Sequence, residues 1–218
     1  MAETGTGKGA ARREAKGEGE TLLPSREFHF TTDDFERVRK LIYQHAGISL
    51  APVKQDMVYS RLARRLRAHN YTTFAQYLAH LERNDEAEWE VFINSLTTNL
   101  TSFFREAHHF EILAKHLQKL GAQGKPIRLW CSAASTGEEP YSLAITACEA
   151  FESYAPPVSI IASDIDTNVL ATAAKGIYLM ERVEKLEPKR LRSFFLKGAG
   201  TQAGSVRVRP ELQKLVTF

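Results

Sequence analysis

Cysteine is scarce. Cys131 and Cys148 are the only two in 218 residues, which excludes a disulfide scaffold and leaves the reduced thiols of a cytoplasmic protein as the simplest reading. Long apolar runs are missing as well. The longest uncharged stretch, residues 91–104, has 14 residues and contains Asn, Ser and Thr, whereas a membrane span needs about 20 mostly apolar ones. The first 20 residues hold charges and glycines but no apolar segment of the kind a secretory signal needs. Neither sign of charge dominates: 29 Lys and Arg against 26 Asp and Glu leave +3. That excess is too small to indicate nucleic-acid binding without local clustering. No repeat of fixed period is visible. What remains, 43% hydrophobic and 25% charged, suits a globular chain long enough for one large domain or two small ones.

Residues 1–26 have almost no large apolar side chain before Leu22 and read as a disordered tail, too polar to offset the entropy of ordering. Residues 28–96 read as an all-helical domain. Asp33 with Glu36 has the spacing of a capping pair, and Phe35, Val38, Leu41 and Ile42 follow at helical intervals. Gly47 suits a stop, Pro52 a start, and Thr72 or Thr73 a third start. A fourth helix carries Trp89, Phe92, Ile93 and Leu96. Short connections favour a compact bundle.

From residue 97 the pattern changes. A helix over 106–120, an apolar strand at 127–131, a helix over 139–151, a strand at 158–162 and a helix to Lys175 open a doubly wound parallel sheet. The fold expected is therefore α plus α/β, a helical domain followed by a Rossmann-like domain. Phe194, Phe195 and Leu196 face Val206, Arg207 and Val208 across a glycine-rich turn, with residues 215–218 as a third strand. This predicts a small antiparallel sheet over about 190–218.

The loop 132–141, SAASTGEEPY, joins a buried strand to a helix. Small residues let backbone approach a ligand at the carboxyl end of a parallel strand. A glycine-rich dinucleotide pattern is absent. Glu138 and Glu139 would repel a pyrophosphate but suit an ammonium or sulfonium charge, although acids also favour a plain helix start. Asp164 ends the second strand, where an acid commonly accepts from ribose hydroxyls. It also suits a helix cap.

Residues 96–106 (LTTNLTSFFRE), the 132–141 loop and 162–166 (ASDID) resemble the chemotaxis receptor glutamate methyltransferases, the CheR family. The resemblance extends from about Phe28 to Phe218. It implies a protein-glutamate O-methyltransferase that uses S-adenosylmethionine, releases S-adenosylhomocysteine, and acts on the cytoplasmic domain of methyl-accepting receptors at the inner membrane. The family's cofactor contacts fall on Asn99, Thr101, Arg105, Glu139 and Asp164, and all five types match. The family continues beyond the stretch ending at Phe218, which suggests either a fragment or a non-catalytic receptor-binding adapter. No metal is implied.

A receptor glutamate with an ordinary pKa near 4.3 is ionised at neutral pH, so attack on a sulfonium methyl needs no general base. His108 and His109 therefore read as ordinary helix residues. Arg105 is the candidate catalytic residue, a planar fork able to orient the acceptor carboxylate. Lys54, Arg61, Arg64 and Arg65 fall on one stripe of the second helix. The resemblance makes that stripe a candidate receptor surface, and it lacks the interleaved aromatics that nucleic acid would favour. Lys197, Gly198, Gly200, Gly204 and Arg207 match the hairpin with which part of the family binds the receptor's C-terminal peptide. Lys197 stands where an Arg is expected, replacing a bidentate fork with a single ammonium.

Overall fold

The computed structural model describes residues 26–83 and 86–218. Nearly all of the stretch expected to be a tail lies outside them. The elements, in chain order, begin with α1 (Thr32–Ala46), a 3₁₀ turn at Pro52–Lys54, α2 (Gln55–Ala68), α3 (Phe74–Leu81), α4 (Glu86–Leu96) and α5 (Ala107–Gly121). Then come β1 (Ile127–Cys131), α6 (Glu138–Ala150), β2 (Val158–Ala162), α7 (Thr167–Lys175) and β3 (Ile177–Leu179). The last are α8 (Pro188–Phe194), β4 (Phe195–Lys197), β5 (Ser205–Val208), α9 (Pro210–Gln213) and β6 (Val216–Thr217).

Buried side chains form two clusters, one from Phe28 to Leu96 and one from Phe103 to Val216. In the first, α1 to α4 turn Val38, Ile42, Leu62, Leu66, Phe74, Leu78, Leu81 and Phe92 inward. The cap of α1 is not the expected Asp33–Glu36 pair. Thr31 Oγ1 accepts from Asp34 N–H, and Asp34 Oδ2 accepts from Thr31 N–H, a reciprocal box set two residues earlier. Thr73 caps α3 as expected.

The helical core also encloses a carboxylate. Glu88 is 4% exposed and accepts from Arg65 Nε at 3.0 Å, Tyr77 Oη at 2.7 Å and His69 Nε2 at 2.9 Å. Burial pushes its pKa up, but the hydrogen bonds from Arg65, then Tyr77 and His69, outweigh burial and hold it below the ordinary 4.5. A depressed folded pKa contributes stability above the unfolded value that is lost as pH falls through the folded one. Glu88→Gln is expected to cost about 3 kcal/mol in urea unfolding by stranding Arg65. Its stability should also fall less steeply than the wild type's below about pH 4.5.

In the second cluster β2 is central to a parallel sheet of order β1-β2-β6, with Ile127 opposite Val158 and Ile160 opposite Val216. One face, through Ile127, Cys131, Val158, Ile160 and Ala162, is buried, while Trp130 on the other face is 72% exposed and Ile161 52%. The antiparallel sheet has order β3-β5-β4. Here the structure corrects the sequence reading: residues 216–217 join the parallel sheet, and the third antiparallel strand is β3, just after α7. The small sheet thus starts at Ile177 rather than near 190. Gly176 makes the sharp passage from α7 to β3 at φ +60°, where a Cβ would lie 3.1 Å from Tyr141 Oη.

Candidate functional site

The two domains meet where the carboxyl ends of β1 and β2 face the end of α4. A cavity of about 400 Å³ opens there, lined by Leu50, Lys54, Met57, Leu96, Thr98, Asn99, Ala133, Asp164 and Ile165 among others. Its volume is that of a small-molecule site, with apolar walls and a few polar groups. A separate cavity of about 450 Å³ between the end of α6 and α8 contains none of the candidate cofactor residues.

Asn99 and Asp164, 65 positions apart in sequence, share this cavity. Asp164 Oδ2 accepts from Ser135 N–H at 2.7 Å, and Oδ1 accepts from Asp166 N–H at 3.0 Å. Each oxygen keeps a second lone pair for a ligand. The alternative reading of Asp164 as the cap of α7 is corrected: that cap is Asp166. Glu139 is exposed and lies beside Cys131. Burial, with the charge of Glu139 beside it, pushes the Cys131 thiol up to about 12, so it stays protonated at neutral pH and is no nucleophile.

Glu138 is not a ligand group. It is fully buried, hydrogen-bonded by Thr136 Oγ1 at 2.6 Å and paired with Arg182. Arg182 also donates to the Thr101 carbonyl at 3.1 Å. Thr101 therefore reaches the site region through its backbone and lines no part of the cavity. Arg105 does not line it either. It is exposed and donates to the Leu100 carbonyl at 2.9 Å. The flanking residues Phe104 and Glu106 hold φ of 52° and 57°, and Ser135 in the facing loop holds 48°. Such left-handed backbone in non-glycine residues is stored strain, which concentrates at functional segments. Arg182 was missed in the sequence because nothing local marks it, and only the fold carries β3 and the turn after it back to the loop.

The proposed basic stripe divides. Arg65 is spent on Glu88. Arg61 donates to the carbonyls of Ser95 (3.3 Å) and Thr97 (2.5 Å), satisfying the carboxyl end of α4. Reading those two as a free receptor surface is corrected. Arg64 remains exposed, and Lys54 lines the cavity.

The hairpin residues stand apart, in the antiparallel sheet. Lys197 and Arg207 are exposed, and β5 is paired on both sides, so the free edges belong to β3 and β4. Gly198 is required by close approach, since a Cβ there would lie 2.1 Å from the Gln202 carbonyl oxygen.

The residues fit an amphipathic, positively charged cofactor. Ala133 lets backbone come close, Asp164 is the one carboxylate of the lining, where Lys54 also lies, and Glu138 and Glu139 are outside it. Ser135 is 7% exposed, and its Oγ has no partner. Among the described residues no cluster of His, Cys, Asp and Glu is built to hold a metal, and no helix is long and apolar enough to cross a membrane.

The family model described as the CheR methyltransferase all-alpha domain matches residues 33–97, and that of the CheR methyltransferase SAM binding domain matches residues 99–218. The chain is 51% identical over 197 residues to chemotaxis protein methyltransferase 2 of Pseudomonas aeruginosa, covering 90% of this chain and 70% of that protein. It is 52% identical over 185 residues to the chemotaxis protein methyltransferase of Salmonella typhimurium, covering 84% of this chain and 63% of that protein. The Escherichia coli protein of the same name is 51% identical over 185 residues, at 84% and 64%. The chain thus spans roughly two thirds of the length of these relatives, and with an all-helical domain set against an S-adenosylmethionine-binding domain it belongs to the CheR methyltransferase family.

Proposed function

We propose that the full-length gene product transfers a methyl group from S-adenosylmethionine to glutamate side chains of chemotaxis receptors. The observation that carries this reading is the cavity that brings Asn99 and Asp164 together at the carboxyl ends of β1 and β2. The cofactor, when bound, supplies a methyl on a sulfonium centre. The chain's own residues bind, orient and exclude water. Asp164 accepts from hydroxyls, Asn99 and the 132–137 backbone fix the ligand's polar end, and Leu50, Met57, Leu96 and Ile165 shut out solvent. Glu139, exposed in the first turn of α6 and outside the cavity lining, favours the positive charge through its own negative one. Arg105 orients the acceptor carboxylate, which needs no base because it is already ionised. The product would be S-adenosylhomocysteine.

Asp164→Ala is expected to weaken binding of S-adenosylhomocysteine by about tenfold or more in calorimetry, because it removes acceptors for both the ligand and Ser135 N–H. Unchanged affinity would remove Asp164 from the site.

For the receptor itself, Lys54, in the 3₁₀ turn before α2, and Arg64 on α2 remain of the basic stripe, and Lys197 with Arg207 form the tether. Reversing Lys197 and Arg207 is expected to abolish only the advantage given by a receptor's C-terminal peptide, because strand addition at β4 raises local concentration without entering the chemistry. Slower methylation of tail-less receptors by this variant would contradict the tether.

A further inference from the structure

Asp166 is 3% exposed and sits at the junction of the two domains. Its Oδ1 caps α7, accepting from the N–H groups of Asn168 (3.0 Å) and Val169 (3.4 Å). Its Oδ2 accepts from Thr97 Oγ1 and Asn99 Nδ2, each at 2.7 Å. The neighbouring contact of the domains is polar too: Thr167 Oγ1 accepts from Asn94 Nδ2 at 3.0 Å and donates to Glu90. Asp166 is not part of the cavity lining, but Asn99 is.

An ionised carboxylate only accepts. Asn99 must therefore turn its NH₂ toward Asp166, and the same nitrogen lies 3.4 Å from Thr97 Oγ1. The reverse amide orientation would set two acceptors against each other. Holding the nitrogen at Asp166 leaves the amide oxygen, Oδ1, as the polar atom Asn99 can offer a ligand. We propose that Asp166 is a positioning residue that fixes the amide of Asn99, so that the site presents an acceptor and selects an N–H or O–H donor on its ligand. This rests on the reading of Asn99 as a cofactor-site residue.

The test is calorimetry with S-adenosylhomocysteine on the full-length gene product, with thermal unfolding measured alongside. Asp166→Asn keeps the cap, because Asn caps helices as well as Asp, but it faces Asn99 with a second NH₂. Affinity should fall roughly tenfold, with the thermal midpoint little changed. In an Asn99→Ala background, itself weaker in binding, Asp166→Asn should cause no further loss, because nothing is left to orient. An equal loss in both backgrounds marks independent action and overturns the proposal, as does no loss in either. If Asn99→Ala leaves affinity unchanged, the cofactor-site reading of Asn99 itself fails, which is a distinct result. Should Asp166→Asn not fold, Asp166→Ser keeps a cap and removes Oδ2, and the same comparison applies.

Discussion

Replacing Arg182 with alanine is expected to destabilise the α/β domain by about 3 kcal/mol, a loss typical of a buried charge left without its partner. Glu138 is fully buried at the start of α6, with Arg182 as its charge partner and Thr136 as its other donor. Lysine at 182 should recover only part, since one ammonium cannot match the fork that serves both Glu138 and the Thr101 carbonyl. Adding Glu138→Gln to Arg182→Ala should restore much of the stability, because the stranded charge is then gone. Urea unfolding of the four forms measures this coupling. Additive losses would show that the pair does not act as a unit. The same residue ties segment 99–105 to the 132–141 loop, so Arg182→Ala should also weaken binding of S-adenosylhomocysteine.

The second large effect is expected at Arg105, and in activity rather than stability. Its side chain is exposed and donates to the Leu100 carbonyl, so Arg105→Ala should cost less than about 1 kcal/mol in unfolding. Methyl transfer should nevertheless fall by roughly a hundredfold, because misplacing an acceptor by an ångström is enough for such a loss. Loss in kcat with cofactor affinity nearly intact would match a role in orienting the acceptor. Near-normal turnover would remove Arg105 from the mechanism.

How far the sequence could be read follows the range of each signal. Local chemistry was legible: Pro52 and Thr73 at helix starts, Gly47 at a stop, and β1 and β2 as short apolar runs. The cap of α1 was misplaced because Asp33 and Glu36 share the spacing of Thr31 and Asp34. β3 has only three residues, and its partner β5 lies nearly thirty positions on. The two-residue β6 takes its place from β2 rather than from its neighbours. Glu88 left a usable sign: it precedes Phe92 by one helical turn and Leu96 by two, on the stripe that is buried. Following that stripe back would have shown a buried acid in need of a cation, and so that Arg65 was not free. Of the site, Asn99 and Asp164, singled out as cofactor contacts through the resemblance, line one cavity. Asp166 and Arg182, which hold the site's segments in place, depend on tertiary contacts that no local pattern encodes.

The most direct measurement incubates the full-length gene product with chemoreceptor-bearing membranes and S-adenosylmethionine labelled in its methyl group. Carboxyl methyl esters hydrolyse in alkali and release methanol, whereas methylated amines and nucleic acid do not. The account predicts base-labile label on receptor glutamates, strongly reduced by Asp164→Ala and by Arg105→Ala. Label that is base-stable, or base-labile label unaffected by both substitutions, would contradict it.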